Sequence, residues 1–255
     1  MVKCSTCGLG YAQVVPTLDA IREYYDIQFS NTTHWLHEFP EARHWLYRRL
    51  LERIAKYRPT GQLVDVGCSF GFFMQMALKY GYDAIGIEIS APAVWYARER
   101  LKLNAIHGTL SDATLPSEFA DIITFIDVLE HVPEPRADIC EAHRILREGG
   151  LLVLRLPNFA FHWLKTCLLR ISHRKGFIGL DSRNHVNHFP VCTLAHGLRE
   201  IGFRVIEVRP GVPNIYRRWM FDAVRVAYWW VADGLRNIIN WQIGNIIEVF
   251  AIKLH

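Results

Sequence analysis

The sequence predicts an α/β fold: a doubly wound, mostly parallel sheet with helices on both faces. Short apolar runs alternate with helical stretches between residues 62 and 156, the order that builds parallel strand–helix–strand units. The run Ile122-Ile123-Thr124-Phe125-Ile126 is continuously apolar but for one threonine, as strands buried on both faces are. Glycines stand where helices must end, at Gly81, Gly149-Gly150 and Gly202. With 255 residues, 51% hydrophobic and 21% charged, the chain can bury a large core and is not disordered.

The elements follow in order. Trp45, Leu46, Arg49, Leu50 and Ile54 recur at helical spacing over 41–57, and Arg58-Pro59-Thr60-Gly61 breaks that helix. A strand is expected at 62–66, a helix at 72–80, a strand at 84–89, a helix at 91–103 and a short strand at 105–107. A strand at 121–126, a helix at 136–146 and a strand at 151–156 complete this block. Residues 157–187 read as a connection mixing Phe159, Phe161, Trp163 and Leu164 with Lys165, Arg170, Arg174 and Lys175. A helix at 191–201, a strand at 203–208, a long aromatic helix at 214–240 and a strand at 246–254 finish the chain, and the last hairpin places one antiparallel strand in the sheet. The expected organisation is an N-terminal knuckle and helical cap over 1–60 and a sheet domain over 61–255, with insertions at 157–187 and 211–244.

Composition narrows the class. A formal charge of +4 is too weak to predict a nucleic-acid partner. No uncharged stretch reaches the roughly eighteen residues a membrane-spanning helix needs. Met1-Val2-Lys3-Cys4 lacks the apolar region of a signal peptide. Of six cysteines only Cys4 and Cys7 have motif spacing, which suits a reduced, cytoplasmic chain.

The chemistry concentrates at strand ends. Leu63-Val64-Asp65-Val66-Gly67-Cys68-Ser69-Phe70-Gly71-Phe72 is a strand, a tight turn and a helix start. Gly67 and Gly71 permit a sharp turn and close approach of a ligand, and the helix N-terminus favours an anionic group. The dinucleotide pattern is absent, because Ser69 and Phe72 stand at its other glycine positions. That disfavours a nicotinamide oxidoreductase and suits a smaller ligand with one carboxylate. Glu88 ends the second strand, where a carboxylate can accept from both hydroxyls of a ribose. Asp112 follows the third strand and could accept from an exocyclic adenine amine. Alone, Asp65 reads as a cap and Glu88 as a solvated strand end. Their order on successive loops, followed by Asp127-Val128-Leu129-Glu130-His131-Val132, favours a site.

This set resembles the class I S-adenosylmethionine-dependent methyltransferases, in the branch of ubiquinone-biosynthesis and sugar methyltransferases. The resemblance extends through Leu146-Arg147-Glu148-Gly149-Gly150, His185-Val186-Asn187-His188-Phe189 and Gly202-Phe203, over roughly residues 60–210; Ser69 departs from it, where a third glycine is commoner. It implies a Rossmann-like seven-stranded sheet with the last strand antiparallel, and S-adenosyl-L-methionine as cofactor. It places Asp65, Gly67, Cys68 and Gly71 at the methionine end and Glu88 and Ile89 at the ribose. Asp112 and Ala113 come at the adenine, and Ile126 and Asp127 close the site. The implied activity is methyl transfer to an O or N atom of a small molecule: a sugar, a quinone-like ring or a lipid-linked glycan. The rival is a non-catalytic scaffold on the same fold.

Other motifs remain open. Cys4-Ser5-Thr6-Cys7-Gly8 is one zinc knuckle, and no second pair follows at ribbon spacing. With Pro16 and Tyr24-Tyr25 it is similar to the second knuckle of ribbons that precede related methyltransferases, and it reads as a degenerate remnant. Asp127, Glu130 and His131 resemble a divalent-cation run of some ubiquinone O-methyltransferases, or are polar residues at a helix start. His188 ranks ahead of His131 as a general base, with His185 a rival. On the 214–240 helix, Arg218, Asp222, Arg225, Asp233 and Arg236 fall near one stripe, interrupted by Trp229, among aromatic residues. The first expectation is packing on the core or on a second copy in a homodimer. The second is peripheral contact with the inner face of a membrane or with a lipid-linked substrate.

Overall fold

The structure, a computed structural model, describes residues 2–30, 34–171, 185–216, 218–239 and 244–254. Arg174 and Lys175, expected in the mixed connection, lie outside the described residues, as do the side chains of Lys165, Arg170 and Arg236.

The chain enters through a hairpin, β1 (Val2–Lys3) and β2 (Gly10–Tyr11), followed by helices α1 (Leu18–Ser30) and α2 (Phe39–Ile54). The alternating block is β3 (Gly61–Val66), α3 (Phe72–Lys79), β4 (Tyr82–Glu88), α4 (Ala91–Glu99), β5 (Asn104–His107), β6 (Ala120–Ile126), α5 (Pro135–Ile145) and β7 (Leu146–Pro157). After it come α6 (Phe159–Ile171), β8 (Asn187–His188), α7 (Val191–Ile201), β9 (Phe203–Pro210), α8 (Trp219–Ile239) and β10 (Ile246–Lys253).

The main sheet has seven strands in the order β5-β4-β3-β6-β7-β10-β9. Val64 stands beside Ile85 on one side and Ile123 on the other, in parallel register. β10 runs antiparallel to both neighbours, with Val249 opposite Leu154 and Val208. This is the sheet that the resemblance implied. Neighbouring strand residues serve opposite faces, as pleating requires. Leu63, Ile122 and Leu151 pack with Leu46, Leu50 and Ile54 of α2 and Met74 of α3. Val64, Ile123 and Leu152 pack with Ile139 and Ile145 of α5 and Leu198 of α7. The N-terminal segment therefore shares the core of the sheet. It is tied on again by a small second sheet, in which β2 pairs with β1 and β8.

Several elements differ from expectation, among them the short strands β1, β2 and β8. α1 was not read in the sequence, and Phe29 is its one fully buried residue. The 157–187 connection contains the helix α6. The last helix begins at Trp219 and not near 214, because residues before it are drawn to the sheet edge. There the Val212 N–H donates to Glu248 Oε1 at 2.8 Å and the Ile215 N–H to the Ala42 carbonyl at 2.8 Å. Asp222 then starts the helix by accepting from the backbone N–H groups of Arg218 (2.7 Å) and Tyr216 (3.2 Å).

α8 docks on the core through Trp229 and Ala232, as expected, but keeps most of its apolar side chains outward. Of its charged stripe, Asp222 and Asp233 face the protein while Arg218 and Arg225 are exposed. Arg209 forks onto Asp233 at 2.8 and 3.0 Å, Arg53 reaches Asp233 at 3.7 Å and pairs with the buried Glu248, and Trp229 donates to the Pro210 carbonyl at 3.2 Å. The apolar side chains Trp219, Phe221 and Val224 face outward, 79%, 65% and 68% exposed. Packing of this face on the core is excluded.

Candidate functional site

A cavity of about 810 Å³ opens at the carboxyl ends of β3, β4, β5 and β6, where parallel α/β sheets bind ligands. Its wall includes the first turn of the sheet. The N–H groups of Gly67 and Cys68 both donate to the Ile87 carbonyl, at 2.7 and 3.1 Å, and the Gly71 N–H closes the turn on Cys68 at 2.9 Å. Gly67 has φ +70°, and a Cβ there would stand 2.4 Å from Val128 Cγ2. The glycine is needed because Val128 lies directly over the turn, not only because a ligand does. Gly71, at φ +85°, does not line the cavity; a Cβ there would meet Leu103 Cδ1 at 2.5 Å. Its part is to cap α3 and seat it on the core. Burial pushes the Cys68 thiol well above its ordinary value. Cys68 contributes backbone and bulk.

Glu88 is oriented by two amides. Its Oε2 accepts from the Ser69 N–H at 2.8 Å and its Oε1 from the Ser90 N–H at 2.9 Å. Burial raises its carboxyl, although these amides pull the other way. Each oxygen retains a lone pair, so a vicinal diol has two acceptors. The buried Ser69 hydroxyl has no hydrogen-bond partner among the described residues. Asp65 accepts from Thr124 Oγ1 at 2.6 Å, and burial pushes its carboxyl up to about 7. Ile89, Gly108, Thr109 and Leu110 continue the wall, but Asp112 and Ala113 do not reach it. Asp112 turns back to accept from the Thr109 N–H at 2.9 Å, which holds its exposed carboxyl below the usual range, and Ala113 packs into the core.

Ile126 and Asp127 line the opposite wall. Asp127 adopts φ +57°, a conformation a non-glycine residue keeps only when its surroundings impose it. Here the Asp127 N–H donates to the Arg155 carbonyl at 2.8 Å, and the side chain is clamped by Arg43 Nη2 at 2.5 Å and by Arg155 Nη1. Burial alone would raise this carboxyl, but Arg155 and Arg43 outweigh it and hold it low. With both oxygens engaged, Asp127 fits a strut better than a cation ligand.

The same loop delivers Glu130 and His131. The Glu130 carbonyl accepts the N–H groups of Val186 (2.8 Å) and Asn187 (3.0 Å), which draws the 185–188 segment to the β6 loop. His185 thereby stands 4.8 Å, ring to ring, from His131, and Tyr25 of α1 stands 6.2 Å from His131 on another side. Glu130, His131 and His185 present ligand atoms within 4.8 Å of one another, a set able to hold a divalent cation. Burial and the charge of Asp127 push the Glu130 carboxyl up to about 8. His188 does not line the cavity, although its ring stands 5.8 Å from that of His185. It is held in β8 opposite Gly10, buried, with its ring 6.0 Å from that of Phe159. The ranking of His188 over His131 as a base is therefore corrected: His131 and His185 line the cavity and His188 does not. At the knuckle, the backbone N–H groups of Cys7 and Thr6 bring the Cys4 thiol down to about 7. Among the described residues no third Cys, His, Asp or Glu completes a metal site there.

The family model described as "Methyltransferase domain" matches residues 37–208. The chain belongs to the methyltransferase-domain family. It is 33% identical over 115 residues to the ubiquinone biosynthesis O-methyltransferase of Methylococcus capsulatus, covering 42% of this chain and 47% of that one. It is 28% identical over 170 residues to the mitochondrial ubiquinone biosynthesis O-methyltransferase of Schizosaccharomyces pombe, covering 63% and 62%. The chain thus spans about half the length of the first of these curated relatives, 47%. Among solved structures, a SAM-dependent methyltransferase from Archaeoglobus fulgidus superposes with TM-score 0.59 at 17% identity, covering 87% of this chain and all (100%) of that one. The cyclase SpnF superposes with TM-score 0.62 at 18% identity, covering 94% and 98%. These likenesses show the fold.

S-adenosyl-L-methionine is the cofactor of this methyltransferase family, and the site fits it. Glu88 offers the diol acceptors, Ile89 and Leu110 offer apolar surface for a base, and the buried Asp65 faces the cavity where a cationic amino group could sit. Arg43, Arg155 and Tyr25 escaped the sequence reading. Arg155 had a signal: a charge inside the apolar run of β7 must be paired. Arg43 and Tyr25 lie on cap helices whose approach to the cavity no local pattern reveals.

Proposed function

We propose that this chain transfers a methyl group from S-adenosyl-L-methionine to a hydroxyl oxygen on an aromatic or quinone-like ring. The observation that carries this reading is the composition of the cavity at the strand ends. The cofactor loops form one wall, and Tyr24, Tyr25, Phe29 and Phe39 of the N-terminal helices form another, with Glu130, His131 and His185 beside them. Flat aromatic walls suit a flat ring better than a sugar. The names of the ubiquinone biosynthesis relatives support the same acceptor class.

When bound, the cofactor supplies an electrophilic methyl group on a sulfonium. The protein's work is positioning: Glu88 and the turn fix one partner, and α1 with α2 covers the other and excludes water. His131 and His185 stand where an acceptor proton must leave, and imidazole is the ordinary proton acceptor at neutral pH. A cation held with Glu130 would serve the same end by favouring the ionised hydroxyl.

The test is transfer of a labelled methyl group from S-adenosyl-L-methionine to a panel of catechols, phenols and sugars, beside calorimetry with the cofactor. Cofactor binding with turnover on catechols is the expected result. Turnover on sugars alone would overturn the acceptor class. Absence of cofactor binding would overturn the reading as a whole, leaving a different reaction on the fold, as the cyclase neighbour's name illustrates.

A further inference from the structure

α8 is an amphipathic helix mounted inside out. Asp222, Trp229, Ala232 and Asp233 face the protein, and Trp45 packs edge-on against Trp229 at 5.2 Å. The outward face carries Trp219, Met220, Phe221, Val224, Tyr228, Trp230 and Val231, all exposed. Contiguous apolar surface of this kind marks a binding face.

Charge on the helix is sorted as well. Both of its acids are turned inward and paired: Asp233 with Arg209 and Arg53, and Asp222 with the amides of Arg218 and Tyr216 and with one edge of the half-exposed Arg225 guanidinium at 3.3 Å. Among the described residues there, the charged side chains exposed at the surface are Arg218 and Arg225, and none on the outward face is acidic. Aromatic residues interleaved with arginine, and no exposed acid, are the chemistry of a helix lying in the headgroup region of an anionic bilayer. Among the described residues no helix is long and apolar enough to cross a membrane, so contact would be lateral. A second copy would fit less well, because a self-complementary contact would bring like arginines together without an exposed acid to receive them.

We propose that α8 seats this protein on an anionic lipid surface, with Trp219, Phe221, Val224 and Trp230 in the interface and Arg218 and Arg225 on the headgroups. The inference stands apart from the methyl-transfer reading and survives its failure.

Co-sedimentation of the full chain with vesicles of phosphatidylcholine alone, and with added phosphatidylglycerol, tests it. The expected result is binding to the anionic vesicles, with a blue shift of tryptophan emission. Arg218→Gln with Arg225→Gln should weaken that binding roughly fivefold per arginine. Trp219→Glu with Phe221→Glu and Val224→Glu should abolish it. These positions are exposed, so thermal unfolding and S-adenosyl-L-methionine affinity should be unchanged, which separates lost docking from lost folding. Sedimentation velocity supplies the other arm. No binding to either vesicle, or binding unaffected by the glutamates, would overturn the proposal. So would a dimer that the glutamates dissociate while vesicles leave it untouched, which would make the face a contact between copies.

Discussion

Asp65→Asn offers a direct reading of how the cofactor pocket trades stability for charge. The carboxyl is buried, accepts from Thr124 at 2.6 Å, and titrates near 7 against an ordinary value of 3.8. Because the folded value is raised, the unfolded chain releases its proton first. Stability is fully present below about pH 4 and is lost as pH rises toward 7. A shift from 3.8 to about 7 corresponds to about 4 kcal/mol when fully titrated. About 2.5 kcal/mol of it falls between pH 5 and 8. Asparagine keeps the acceptor for Thr124 and removes the titration. Urea unfolding of both proteins at pH 5, 6, 7 and 8, without cofactor, should show the variant gaining on the wild type by about that amount as pH rises. Cofactor affinity should move oppositely: the wild type should bind S-adenosyl-L-methionine more tightly above pH 7, and the variant should lose that dependence. Parallel stability curves for the two proteins would refute the buried-acid account, whatever the cofactor data show.

Glu88→Ala should weaken S-adenosyl-L-methionine binding by roughly 1.5–3 kcal/mol by calorimetry; unchanged affinity in a folded variant would remove the ribose assignment. His131→Gln and His185→Gln should each lower turnover by roughly 10²–10⁴-fold if they take the proton, whereas His188→Gln should leave catalysis nearly intact. Assays after chelation, with and without added Mg²⁺ or Zn²⁺, then tell a proton acceptor from a cation ligand, since only the latter gives metal-dependent turnover. Arg53→Met should destabilise the fold by about 3–5 kcal/mol in chemical denaturation, because Glu248 is 0% exposed and would lose its countercharge. Adding Glu248→Gln should recover part of that loss.

The strands of the main sheet were legible because burial on both faces leaves a nearly unbroken apolar run, as in β6. The loops that line the cavity were legible because glycine and acid stand together at the ends of β3 and β4. Asp112 shows the limit: its place on the loop was read, but its turn back onto Thr109 depends on local hydrogen bonds that a loop position does not specify. The choice between His185 and His188 depended on β8. Its pairing of His188 with Gly10 joins strands far apart in the chain, and two residues leave no periodicity to read. α1 was missed although Leu18, Ile21, Tyr25 and Phe29 recur at helical spacing, because that face is polar-flanked and lines the cavity, with Phe29 alone fully buried.

That same shallow burial sets when the cavity is open. α1 is fastened mainly by Phe29 against Phe70 at 5.2 Å and by Asp26 receiving the Ala91 N–H at 3.0 Å, while α2 is built into the core through Leu46, Leu50 and Ile54. A helix held so lightly opens at far lower free energy than the sheet it covers. Ligand traffic can then proceed by brief release of one roof helix, with the arginine clamp and the glycine turn staying in place. Amide hydrogen exchange would register this as fast exchange across α1 that slows when the cavity is filled, against slow exchange throughout β3 and β6.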